Sequence, residues 1–258
     1  MTSPNRATRG RTRPGRLRAL DQYLLRFERP LLEGPFIDLG FGETPSTTLE
    51  AAALFREVAP SLQVVGLELD PARVQAAATA QSAHTRFQLG GFQSLSPLGP
   101  ARLIRVMNVL RGYRSEELPQ AHALLGAALE EGGLAVEGSA DPSGRLLCCH
   151  LLRRRAGVLH REALLFFTDF ECGFAPMQFR DWLPRDLRRR VLPGEPIHAF
   201  FRAWTFAWEQ TRRDQPTPKA AFAASLRSLA ANLPGVAGEP WLVDHGYLLW
   251  RPEGGVPR

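Results

Sequence analysis

The sequence predicts an α/β protein built on a doubly wound, mostly parallel sheet, with an antiparallel hairpin and C-terminal helical additions. Three observations predict it. Short apolar runs alternate with helical patterns from residue 36 to residue 138, the signature of strand–helix–strand crossovers. The first two of those runs end in carboxylates, Asp38 and Glu68, with a glycine-rich bend after the first. Beyond Asp141 the alternation gives way to two adjacent strand-like runs and then two helices.

Leu17, Leu20, Leu24 and Phe27 recur at three- and four-residue steps, so a helix opens near Pro14 and stops at Pro30. Residues 36–39 form the first strand, and a helix over 49–58, capped by Thr47 or Thr48, follows it. Residues 63–68 form the second strand. Pro71 starts an alanine-rich helix running to Ala83, and strands are expected over 86–89 and 103–108. A helix over 116–129 and a fifth strand over 134–137 complete the core. Strands over 145–152 and 158–167, joined by Arg153-Arg154-Arg155-Ala156-Gly157, read as a hairpin. Helices over 196–212 and 218–232, the latter capped by Thr217, precede a last strand over 241–250.

Composition bounds the function class. At 44% hydrophobic and 22% charged residues the 258-residue chain has an ordinary globular balance, and no run approaches a membrane span of about 18 apolar residues. Of the 32 basic residues only Lys219 is a lysine, a bias that genome composition explains as readily as a binding role. Cys148, Cys149 and Cys172 make an odd count without metal-ligand spacing, so a reducing, cytoplasmic setting is expected and no metal site. Cys148, Cys149 and His150 lie in one strand-like run and read as alternating core positions. The first thirteen residues, rich in arginine and free of acids, read as a disordered basic arm with a possible weak polyanion contact. Residues 14–258 then form one domain, with 36–138 a cofactor-binding core and 142–235 a candidate cap or insertion.

The chemistry is concentrated in F-I-D-L-G-F-G-E-T-P, residues 36–45, and V-V-G-L-E-L-D, residues 64–70. Gly40 and Gly42 let backbone approach a ligand without an intervening Cβ. A dinucleotide loop requires a third glycine where Pro45 stands. Asp38 and Glu43 place negative charge beside the bend, which repels a pyrophosphate and favours a cationic ligand part. A carboxylate at the tip of the second strand, Glu68, suits a ribose diol.

These motifs resemble the class I S-adenosylmethionine-dependent methyltransferases, a family with a Rossmann-like fold, and specifically its small bacterial members. Asp38, Gly40 and Gly42 match the family's first motif, which departs at Thr44, and Glu68 matches the ribose-binding acid. R-F-Q-L-G-G-F-Q-S-L stands where the adenine-reading motif belongs, with Gly91 replacing the usual aspartate and the Phe92 N–H left to address the ring. I-R-V-M-N-V-L-R-G-Y places Asn108 at the tip of strand four. The resemblance implies S-adenosylmethionine as cofactor and methyl transfer by in-line displacement to a small-molecule, RNA or protein acceptor. Cofactor-binding residues are then Asp38, Gly40, Gly42, Glu68, Phe92 and Asn108, with Arg111 and Tyr113 on the acceptor side and no catalytic base assigned. Two alternatives stand beside it: a non-enzymatic RNA- or protein-binding module, and an NAD(P)-dependent oxidoreductase.

Overall fold

A computed structural model describes residues 13–252 and residue 256; the expected basic arm lies outside the described residues except for Arg13. The core is one eight-stranded sheet in the order β3-β2-β1-β4-β5-β6-β7-β8. Its strands are β1 Phe36–Leu39, β2 Val64–Glu68, β3 Thr85–Leu89, β4 Ala101–Met107, β5 Leu129–Ala140, β6 Leu146–Arg155, β7 Val158–Thr168 and β8 Tyr247–Trp250. The first five are parallel, and each later strand runs antiparallel to its neighbour. The helices are α1 Arg18–Phe27, α2 Ser46–Arg56, α3 Pro71–Ala77, α4 Leu118–Ala128, α5 Arg185–Arg188, α6 Pro196–Thr211, α7 Pro218–Asn232 and α8 Pro240–Asp244. This is the doubly wound α/β fold expected, and the order in which the parallel strands are laid down reverses between β1 and β4, where such sheets open a crevice at their carboxyl edge.

Both sheet faces are covered. Leu20, Tyr23 and Leu24 of α1 and Ala51 and Phe55 of α2 pack on Phe36, Leu103 and Val136. On the other face Ile37, Leu39, Ile104 and Val106 meet Leu118, Ala121 and Leu125 of α4. β1 and β2 are buried on both sides, so their sequences are apolar runs, whereas the edge strand β3 alternates buried and exposed residues. Local chemistry sets several boundaries. The Asp70 carboxylate accepts the Ala72 N–H at 2.9 Å, and Pro71 occupies the first turn of α3. Thr217 caps α7 by accepting from Ala220 at 3.1 Å, as the sequence predicts.

Several expectations are corrected. The hairpin turn is the two residues Ala156 and Gly157, at φ 49° and 74°, so Arg153–Arg155 belong to β6. Nor are these arginines merely solvated: Arg153 bonds Glu28 and Glu162 at 2.8 Å, and Arg154 reaches the Gly126 carbonyl at the end of α4. The last strand is only 247–250, because Pro240 starts α8. The helix after Pro71 ends at Ala77 and passes into a short 3₁₀ turn over Ala78–Ala80.

The cap expected over residues 142–235 is also redistributed. Leu147, Cys149 and Leu151 of β6 face the α1 side, while Cys148 faces Phe166, Phe200 and Trp204. Having two apolar faces, β6 is a central strand, so the hairpin extends the sheet beyond β5 and α6 and α7 cover one face of the extension. Of the elements after β7, the segment Pro176–Trp182 and α5 meet the loop beyond β4: Arg111 donates to the Asp181 carbonyl and Arg185 to the Tyr113 carbonyl.

Candidate functional site

A narrow cleft opens at the carboxyl edge of β1, β2 and β4. Leu39, Gly40, Glu68, Leu69, Gly90, Gly91, Phe92, Val109 and Tyr113 line it. Leu69, Phe92 and Val109 give it apolar walls, the glycines expose backbone, and Glu68 contributes its carboxylate. An apolar slot with few polar groups is the usual form of a small-molecule site.

Four of the eight residues singled out from sequence meet on this cleft: Gly40, Glu68, Phe92 and Tyr113. Glu68 is 1% exposed. Its Oε2 accepts the Gly42 N–H at 2.9 Å, and its Oε1 accepts those of Leu69 and Asp70 at 2.9 and 3.3 Å. Gly42 therefore stands behind the acid and fixes its position. The Phe92 ring is buried and lies 6.0 Å, edge to face, from Tyr113.

Asp38 is the principal correction. It lies on β1 directly opposite Arg105 of β4, both on the α1–α2 side of the sheet. The fully buried Arg105 donates from Nε and from one terminal nitrogen to the two Asp38 oxygens at 2.9 and 2.8 Å. Arg105 also donates to Asp21 of α1 at 2.6 Å and to the Thr47 carbonyl at 2.9 Å. The Thr48 hydroxyl takes up Asp38 Oδ2 at 2.5 Å, so Thr48 holds the acid instead of capping α2, whose cap is Pro45. Successive strand residues face opposite sides, so Leu39 reaches the cleft and Asp38 does not. With Asp38 compensated by an internal guanidinium and Glu43 exposed, negative charge does not select the ligand.

The bend excludes a pyrophosphate for another reason. Gly40 and Phe41 both donate to the Leu67 carbonyl, at 2.7 and 3.2 Å, and Gly42 donates to Glu68. Phosphate-binding loops need such N–H groups pointing at the ligand; here all three point back into β2.

Asn108 has φ 63°, a left-handed conformation uncommon outside glycine. Its N–H donates to the Gly138 carbonyl at 2.7 Å and its Oδ1 accepts from Ala140 at 3.2 Å. It therefore ties the tip of β4 to β5, and the next residue, Val109, forms the cleft wall. Arg111 lies outside that wall, stacked 4.7 Å from the Trp182 ring. Burial lowers its pKa, and the neighbouring Arg188 and Arg16 lower it further, against the opposing pull of Asp181. Arg16 itself crosses the sheet edge to the Asp141 and Ala140 carbonyls. The outer rim is thus positive.

Sequence reasoning missed Arg105, Asp21, Leu69, Gly90 and Val109. One signal was available: an arginine inside the apolar run L-I-R-V-M needs a buried acid, although its partners Asp38 and Asp21 lie far away in sequence.

No protein-family model matches the chain, and no curated protein does either. Solved structures with related architecture do. An N-methyltransferase, NodS, from Bradyrhizobium japonicum is 20% identical over 48% of this chain and 68% of its own, with a TM-score of 0.37. An S-adenosylmethionine-dependent methyltransferase from Mesorhizobium loti is 18% identical over 48% and 54%, TM-score 0.37. Magnesium protoporphyrin IX methyltransferase from Synechocystis, solved with S-adenosylhomocysteine, is 17% identical over 47% and 53%, TM-score 0.38. The chain spans about half the length of the last two. What they share with it is a partial fold. At these scores the likeness carries no functional argument, which rests on the cleft itself.

Proposed function

We propose that the protein binds S-adenosylmethionine in this cleft and transfers its methyl group to an acceptor that approaches past Val109 and Tyr113. The observation that carries the reading is the buried Glu68 carboxylate at the tip of β2, set into a slot between Leu69 and Phe92 that backbone glycines keep open.

The chemistry of these residues suits the nucleoside half of the cofactor, and the narrow cleft widens to admit it. A purine fills a flat apolar slot, and a ribose hydroxyl completes the coordination of Glu68. Three backbone N–H groups already donate to the Glu68 carboxylate, and the Arg73 guanidinium stands 3.7 Å from its Oε2, so a ribose diol takes its place on Glu68 by displacing one of these partners. The amino-acid half finds no uncompensated carboxylate at Asp38, so its contacts fall to the Gly40 bend.

The cofactor brings an already activated methyl group. The chain's part is to fix the nucleoside against Glu68, exclude water with Phe92, Val109 and Tyr113, and hold the acceptor in line. Orientation of that kind is worth up to roughly 7–11 kcal/mol. Asn108 acts indirectly, by fixing the β4 tip that presents Val109, and the arginines at the rim favour an acceptor carrying negative charge.

Calorimetric titration with S-adenosylhomocysteine, NAD and a generic single-stranded RNA separates this reading from its alternatives. Binding of S-adenosylhomocysteine alone, abolished by Val109→Trp in a folded variant, supports it. Binding of NAD alone would indicate an oxidoreductase, and salt-sensitive binding of RNA alone a nucleic-acid module.

A further inference from the structure

We infer that Glu137, His150 and Asp186 form a site for a divalent transition-metal ion, with His122 as fourth ligand, independent of the cofactor cleft. Glu137 of β5 and His150 of β6 are directly opposite one another across the strand pair. Asp186 comes from α5 and His122 from α4. One candidate ligand atom from each of Glu137, His150 and Asp186 lies within 4.8 Å of the others. His122 Nε2 stands 3.8 Å from Glu137 Oε2. A four-coordinate ion with arms of about 2.0–2.2 Å holds neighbouring ligand atoms roughly 3.3–3.6 Å apart. Glu137, His150 and Asp186 close on such an ion by contracting to that spacing, and His122, outside that mutual set, joins them by turning its ring in from its place beside Glu137.

A second, independent observation points to an occupant. Glu137 is 2% exposed, and its Oε2 meets His122 at 3.8 Å, beyond hydrogen-bond distance. His122 Nε2 is buried and has no hydrogen-bond partner, although it faces that carboxylate. A buried imidazole nitrogen that has no partner and faces a carboxylate across 3.8 Å is costly unless a water or an ion lies between them. The surroundings suit an ion. Arg161 holds Asp186 Oδ2 at 3.0 Å, leaving Oδ1, 2.9 Å from His150 Nε2, to turn to the metal. Such an outer partner orients a ligating carboxylate.

Two imidazoles and two carboxylates select first-row ions such as Zn²⁺, Co²⁺ or Mn²⁺ over Ca²⁺ and Mg²⁺, which prefer oxygen alone. From sequence, His150 reads as a core position; what that reading lacks is the convergence of three other elements on it. A bound ion would fasten α5 to the sheet, and Arg185 of α5 holds the Tyr113 carbonyl at 2.8 Å beside the cofactor cleft. The ion would thus brace the cleft wall without taking part in the chemistry.

The test is titration of the chelator-treated protein with Co²⁺, followed by its visible absorption, and with Zn²⁺ in competition with a chromogenic chelator. The expected result is one ion per chain, an intense Co²⁺ spectrum of low-symmetry four-coordination, and a melting temperature that rises with Zn²⁺. Glu137→Gln, shown folded by circular dichroism, should weaken Zn²⁺ binding at least tenfold. Absence of stoichiometric binding in the wild-type protein overturns the inference whatever the variant does. So does a folded Glu137→Gln that binds as tightly as wild type, in which case a proton shared between His122 and Glu137 explains the pair.

Discussion

Replacing Asp21 by Asn removes one of the two carboxylates that share Arg105. All three side chains are at most 5% exposed, so two negative charges are buried against one positive. Burial pushes the Asp21 pKa up from 3.8 to about 6, against the pull of Arg105, with Asp38 and Glu50 adding repulsion. A pKa higher in the folded than in the unfolded state gives stability that is complete below the unfolded value and is lost as pH rises through the folded one. The window is therefore about pH 4 to 6, and a shift of this size corresponds to roughly 3 kcal/mol. Asn keeps an oxygen for the Arg105 N–H but carries no charge. Urea unfolding of both proteins from pH 4 to pH 8 should show the variant more stable by up to about 3 kcal/mol near neutrality. The gap should narrow toward zero as the pH falls through 4, and other titrating groups cancel in the difference. A variant less stable at pH 7, by an amount independent of pH, would refute the reasoning and show that the second ion pair is net favourable.

Other consequences follow from the same contacts. Arg105→Met leaves Asp38 and Asp21 buried without a partner and should cost about 3–5 kcal/mol by denaturant titration, with Asp38→Asn in the same chain recovering part of the loss. Glu68→Gln cannot accept from both sides and should weaken S-adenosylhomocysteine binding by roughly 10- to 150-fold in calorimetry, the equivalent of one charged hydrogen bond of about 1.5–3 kcal/mol. Ala156 sits at positive φ in the exposed two-residue turn, and Ala156→Asn should raise stability by about 0.5–1 kcal/mol, read as a shifted urea midpoint with an unchanged slope. Arg154→Met strips a charged donor from the Gly126 carbonyl and should cost about 1–3 kcal/mol in the same assay.

The parallel half of the sheet was legible because its inner strands β1, β2 and β4 are buried on both faces and bounded by turn residues. Phe36–Leu39 matches residue for residue, and Val64–Glu68 to within one residue. Legibility fell where the decisive partner is distant in sequence. The run Arg153–Arg155 looks like a polar loop until Glu28, far away on the chain, comes to meet it. The candidate site divides the same way. Glu68 and Phe92 follow from strand ends and lie on the cleft, whereas the orientation of Asp38 depends on strand parity and on Arg105, 67 residues later. Asn108 was placed correctly at the tip of β4, but its side chain turned inward to Ala140, a choice no local pattern encodes.

The central claim is that the Glu68 slot receives an adenosine-bearing sulfur cofactor and that the glycine bend, with its N–H groups spent on β2, refuses a dinucleotide. Isothermal calorimetry of the purified chain with S-adenosylhomocysteine and with NAD measures this directly. The account predicts saturable binding of the first with one site per chain and none of the second. Equal or tighter binding of NAD, or no heat with S-adenosylhomocysteine from a folded protein, would contradict it.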